Sequence, residues 1–122
     1  MKVLACGDRH WTDRDLIAGY LAVLKDEHPD MVLCHGAASG ADQIVGEEAE
    51  KLGIPVTAYP ADWKRYGKAA GPIRNRRMLN EFRPDLICAF HDHIDSSKGT
   101  KDMIGLAQSA GLEIELTRHM TP

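Results

Sequence analysis

The stretch MVLCHGAASGADQIVGEEAEKLG, residues 31–53, carries the pattern that decides the fold. A short apolar run, Met31 to Cys34, gives way to a loop of glycine and small residues. Ala41, Ile44, Val45, Ala49 and Leu52 then recur at helical spacing, and Gly53 stands where a C-terminal cap belongs. The run is continuous rather than alternating, which is how a strand buried on both faces of a sheet reads. Strand, glycine-rich loop and helix in that order form half of a βαβ unit.

The same alternation extends in both directions. Upstream, Val3 to Cys6 is an apolar run, Thr12 is an N-cap candidate, and Leu16, Ile17, Tyr20, Leu21 and Leu24 form a helical stripe. Downstream, Ile54 to Ala58 reads as a third strand and Tyr59 to Gly71 as a long loop. Pro72 then fits the first position of a helix whose buried face is Met78, Leu79 and Phe82. Leu86 to Phe90 is a fourth strand, followed by a loop and by a helix carrying Met103, Ile104, Ala107 and Ala110. Leu112 to Leu116 completes the series. Five strands alternating with four helices predict an α/β, Rossmann-like doubly wound fold. It has a mainly parallel five-stranded sheet with helices on both faces.

The 122 residues suit a single domain over 1–122, large enough to bury its own core. Composition is ordinary, with 43% hydrophobic and 27% charged residues, and the net charge of −3 gives no general attraction to nucleic acid or membrane. No apolar run approaches the ~20 residues of a membrane span, and MKVLACGDRH lacks the features of a signal peptide, so a cytoplasmic protein is expected. Cys6, Cys34 and Cys88 lie inside apolar runs, where buried thiols are less reactive. Their odd number and the absence of a C-x-x-C pair argue against a disulfide framework.

In such a fold, ligands sit beyond the carboxyl ends of the strands, so the strand-to-helix loops are where chemistry is sought. The first loop offers Gly7, Asp8, Arg9 and His10. The second offers Gly36, Ser39, Gly40 and Asp42, with glycines that admit a close ligand and a helix start that favours an anion. Asp42 also stands where a capping-box acid would follow Ser39, and both readings remain open. Between Asp62 and Arg77, six basic residues (Lys64, Arg65, Lys68, Arg74, Arg76, Arg77) face one acid, a net +5 that leaves −8 for the rest of the chain. Asn75 shares the buried face of its helix and needs a partner there. Gly99 and Thr100 open the last helix, with Thr100 also a candidate N-cap.

GDRHWTD, HGAASGAD, YPADWKRYGKAAGPIRNRRML and the late Gly99-Thr100 together resemble the SLOG superfamily, in particular its YspA-like branch. The resemblance covers nearly the whole chain. It implies a Rossmannoid fold and a nucleotide-derived ligand, in some members a signalling molecule of phage and bacterial conflict. The cytokinin-activating LOG phosphoribohydrolases are similar in outline and cleave an N-glycosidic bond with an arginine and a glutamate. Arg74-Asn75 stands at the family's R-N or R-K pair, and Gly99-Thr100 at the G-T of P-G-G-x-G-T-x-x-E. Here Ile94 to Lys98 replace the glycines, Met103 takes the glutamate position, and Asp102 lies one residue early, about 100° away on a helix.

The expected function is therefore binding or sensing of a nucleotide or nucleotide-derived phosphate ligand. The site is a pocket of Gly7, Arg9, Gly36, Ser39, Gly40, Asp42, Arg74, Asn75, Gly99 and Thr100. An alternative is N-glycosidic hydrolysis of nucleoside monophosphates, with Asp8, Asp42 or Asp102 as the catalytic carboxylate. A third reading gathers His10, His35, His91 and His93, with Asp8, Asp92 and Asp95 nearby, into a metal-dependent hydrolase. The first reading calls for no cofactor or metal. DNA binding ranks below these, since no winged-helix extension follows. Apolar helix surface at Leu16, Tyr20 and Leu24 is expected to seat a second copy in a homodimer.

Overall fold

A computed structural model describes residues 1–119; the last three residues of the expected 1–122 domain lie outside that range. The strands are β1 (Lys2–Gly7), β2 (Val32–His35), β3 (Val56–Ala58), β4 (Leu86–Phe90) and β5 (Glu113–Thr117). The helices are α1 (Arg14–Glu27), α2 (Ala41–Lys51), α3 (Trp63–Tyr66), α4 (Ala70–Phe82) and α5 (Gly99–Ser109). All five strands are parallel, in the order β3-β2-β1-β4-β5. The chain winds outward from β1 to one edge and returns through β4 to the other, so the switch in direction falls between β1 and β4.

Register explains why the apolar runs are continuous. Leu4 pairs with Cys34 on one side and Ile87 on the other. These three point to the face covered by Met78 of α4 and by Met103 and Ala107 of α5. Their neighbours Val3, Ala5, Leu33, Leu86, Cys88 and Phe90 point to the opposite face, under Ile17 and Leu21 of α1 and Val45 and Ala49 of α2. Consecutive strand residues thus enter two cores, and every position needs an apolar side chain.

Several local expectations are corrected. The N-cap of α1 is Asp13, not Thr12: the Asp13 carboxylate accepts the Leu16 N–H at 3.2 Å. Pro72 is the third residue of α4, still within the first turn where its missing N–H costs nothing. Thr100 is inside α5, and its own N–H is received by the Ser97 hydroxyl at 3.1 Å. The loop before α4 contains a fifth helix, α3, a single turn held by Asp62 accepting from the Arg65 N–H. Ala110 is exposed rather than buried.

The apolar surface expected to seat a partner is largely used within the chain. Leu24 is buried, and Leu16 and Tyr20 pack partly buried against the core of that face. Tyr20 meets Phe90 edge-on at 5.4 Å and donates to Glu115. No helix among the described residues is long and apolar enough to cross a membrane.

Candidate functional site

The first two strand-to-helix loops are built as one piece. Asp8 donates its N–H to the Phe90 carbonyl and receives the Ala41 N–H on its own carbonyl, at 2.8 and 3.0 Å. The Ser39 hydroxyl donates to the Arg9 carbonyl at 3.2 Å. Glycine is required where the loops press together. A Cβ at Gly7 would lie 2.5 Å from the Phe90 carbonyl oxygen, and one at Gly40 2.3 Å from the Arg9 backbone. Gly40 also has φ +71°, the left-handed region that glycine enters without steric cost.

Asp42 organises the second loop from inside. One carboxylate oxygen accepts the N–H groups of Gly36 and Ala38 at 3.1 and 3.2 Å. The other oxygen, Oδ1, is buried with no hydrogen-bond partner among the described residues. Burial pushes the Asp42 carboxyl up to about 6, against the pull of the Ala38 N–H, the Arg74 charge and the Gly36 N–H. The capping-box reading is thereby corrected, since Asp42 reaches back to Gly36 and Ala38 rather than to Ser39. His35 takes the N–H between them, from Ala37 to Nδ1 at 2.9 Å, so Nε2 carries the ring proton. Burial lowers the His35 pKa, and the Arg74 charge lowers it further.

This geometry revises what the glycine loop offers an anion. The N–H groups of Gly36, Ala37, Ala38 and Ala41 all bond within the protein. Positive charge is supplied instead by Arg74 of α4, which lies across the loop. Its Nη1 donates to the carbonyls of Gly36 and Tyr59, and its Nε to Asn75 Oδ1 at 3.0 Å. Nη2 makes no hydrogen bond among the described residues. Burial pulls the Arg74 pKa down, and Asp42 and Cys6 push it back; a guanidinium stays charged regardless.

Asn75 carries the connection onward. Its Nδ2 donates to Asp102 Oδ2 at 2.9 Å and to the Gly99 carbonyl at 3.3 Å. The partner required by a buried amide is therefore the start of α5. Asp102, displaced from the family's glutamate position, turns toward α4 and orients this amide.

Of the expected site residues, the structure brings Gly36, Asp42, Arg74, Asn75, Gly99 and Asp102 into one bonded cluster at the strand ends. Gly7, Ser39 and Gly40 are structural supports of the neighbouring loop pair, and Arg9 is exposed with its Nε donating to His10. Thr100 is buried in the first turn of α5. The four histidines do not converge. His35 and His91 are buried and each accepts a local backbone N–H, while His10 and His93 are exposed. No group of three or more His, Cys, Asp or Glu among the described residues is placed to hold a metal ion.

Two grooves lie beside this cluster rather than in it. One of about 460 Å³ runs over α2, from His35 and Ser39 to Glu50. One of about 550 Å³ separates α4 from α5, lined by Leu79, Leu106 and Leu112 with Arg76 and Arg83 at its polar rim. The Arg74 guanidinium lies against Gly36 and bonds the carbonyls of Gly36 and Tyr59.

Two contributors were not foreseen. His119, just past β5, bonds Asp92 at 2.8 Å and Asp13 at 2.7 Å and stacks on Trp11 at 4.7 Å. Its position just past a strand was the one available signal. Tyr59, just past β3, accepts Arg74 and lies under the Arg77 guanidinium, 5.4 Å from its centroid.

The model of the YspA, cpYpsA-related SLOG family matches residues 1–66, which include both interlocked loops. The chain is also similar to the Gene 61 protein of Mycobacterium phage D29, 34% identical over 119 residues and covering 93% of each chain. With the all-parallel Rossmann-like sheet and the loops built on Gly7, Gly40 and Asp42, these matches establish that the chain belongs to the YspA, cpYpsA-related SLOG family.

Proposed function

We propose that the protein binds a nucleotide or nucleotide-derived phosphate compound at the carboxyl ends of β1, β2 and β4. Arg74 makes the principal contact. The observation that carries this reading is Arg74 itself: acceptors from two loops and Asn75 hold its guanidinium in place, and Nη2 bonds nothing among the described residues. A pre-positioned guanidinium loses less entropy on meeting a phosphate and gives charge-assisted hydrogen bonds. Gly36 to Gly40 and Gly99-Thr100 flank it. Family membership supports a nucleotide-related ligand. Mass spectrometry of what co-purifies with the protein tests it: a phosphorylated nucleoside derivative agrees, and a non-phosphorylated compound seated on Arg74 does not.

The reading extends to a cytoplasmic homodimer acting as a sensor in phage or bacterial conflict. Exposed Val23 on α1 and the apolar groove between α4 and α5 leave surface for a second copy. A light-scattering mass of one chain at micromolar concentration overturns the dimer.

One observation favours cleavage as a second reading. The raised Asp42 carboxyl, with a buried oxygen that has no hydrogen-bond partner among the described residues, is protonated in part near neutral pH, as a general acid must be. Asp8 and Asp102 hold the His10 N–H and the Asn75 amide instead. Release of free base from AMP by the wild type, lost in Asp42→Asn, selects hydrolysis; intact AMP selects binding.

A further inference from the structure

Trp63 opens α3 and is 60% exposed, whereas Trp11, the other of the two tryptophans, is 5% exposed. The turn that carries the ring is capped, and one edge of the ring meets α4. Asp62 caps the turn by accepting the Arg65 N–H at 3.1 Å. The far edge of the indole, Cη2, lies 3.4 Å from where a Cβ on Gly71 would stand, so the ring leans on the first turn of α4.

Gly71 and Arg74 are three residues apart on that helix and share a side. The same arginine donates to the carbonyl of Tyr59, four residues ahead of Trp63. The helix position that the indole touches and the one that carries the guanidinium are therefore about one turn apart, ~5 Å along the axis of α4. A fixed aromatic face beside a fixed guanidinium matches the two ends of a nucleotide, with the ribose spanning between them. Exposed Lys64, Arg65 and Lys68 add positive potential along the same segment. Tyr66 is partly exposed, but its ring already carries the Arg65 guanidinium at 5.1 Å. Trp63 is the ring left for a base.

We propose that Trp63 is the base-stacking residue of the ligand site. The ligand class is then a sugar phosphate bearing an aromatic base, rather than a bare phosphate or sugar phosphate. This rests on the reading of Arg74 as the anion contact. Every base offers a π face, so stacking selects for a base without choosing strongly among bases.

The test compares AMP with ribose 5-phosphate on wild type, Trp63→Ala, Trp63→Phe and Arg74→Ala. Calorimetry gives affinity and tryptophan fluorescence reports the ring, with circular dichroism verifying each fold. AMP is expected to quench emission in the wild type. Trp63→Ala should weaken AMP roughly fivefold to hundredfold and leave ribose 5-phosphate unchanged, with Trp63→Phe retaining most of the affinity. Equal binding of AMP and ribose 5-phosphate, both lost in Arg74→Ala, overturns the stacking role and leaves the anion site standing. Failure of both compounds to bind overturns both. A short single-stranded oligonucleotide that binds far more tightly than AMP, with steep salt dependence, also overturns it, because the basic aromatic segment would then be a nucleic-acid surface.

Discussion

The guanidinium of Arg74 occupies the space that a side chain at Gly36 would need: a Cβ there would stand 2.5 Å from Nη1 and 2.7 Å from the guanidinium carbon. One residue is absent of side chain so that another, 38 positions away, can cross the loop and reach its carbonyl. The first prediction follows. Gly36→Ala displaces the flexible end of Arg74 rather than backbone, so the fold should survive. Ligand affinity should fall about as far as in Arg74→Ala, and the double variant should be no worse than either alone. A double-mutant cycle by calorimetry with AMP measures this, and additive losses would show that the two residues act separately.

Gly40 presents the opposite case, because the obstacle is backbone. Gly40→Ala puts a Cβ 2.3 Å from the Arg9 carbonyl carbon at a φ of +71°. Gly53 has a similar φ, +73°, with nothing within 4 Å of its would-be Cβ. Gly53→Ala should therefore cost about 1 kcal/mol for conformation alone. Gly40→Ala should cost clearly more, about 3 kcal/mol, by forcing the two loops apart. Urea denaturation of both variants gives the comparison; equal costs would mean that the loops are not in tight contact.

Asp42 sets a pH dependence whose sign can be worked out. Its carboxyl is raised from 3.8 to about 6 by burial, so the folded chain holds a proton that the unfolded chain has released. Stability from this group is present at low pH and is lost as pH rises from about 4 to about 6, to the extent of about 3 kcal/mol. Asp42→Asn should flatten that part of the profile, seen as the difference between variant and wild type in urea midpoints across this range. An unchanged slope would mean that Asp42 titrates normally.

The fold was legible because consecutive strand residues serve two cores, which writes continuous apolar runs into Val3 to Cys6 and Leu86 to Phe90. Helix starts were less legible, since a cap depends on one side chain's geometry. Thr12 and Asp13 are both good caps by type, and only the accepted Leu16 N–H separates them. Helix α3 was missed because a single turn has no periodicity to read. Among the candidate site residues, Gly36, Arg74, Asn75 and Gly99 come together in the structure. The sequence signals for them are a glycine-rich loop, a basic segment beside a helix start, a polar amide on a buried helix face and the family resemblance. The orientation of the loop's N–H groups was not legible, because Asp42 and His35 turn them inward through contacts that spacing does not encode. His119 is marked in the sequence only by its place just past a strand, because its partners, Asp13 and Asp92, are 106 and 27 residues away.

The most direct test of the central claim compares Arg74→Ala with Arg76→Ala by calorimetry, using AMP and ADP-ribose as ligands. Both substitutions remove one positive charge from the same helix, but Arg74 lies across the Gly36 loop and Arg76 is exposed beside the groove between α4 and α5. Loss of a charge-assisted contact at Arg74 should weaken binding by about 1.5–3 kcal/mol, roughly tenfold to a hundredfold. Arg76→Ala should change it far less, with both variants folded. Equal losses from the two substitutions would contradict the account and reduce the site to a diffuse basic surface.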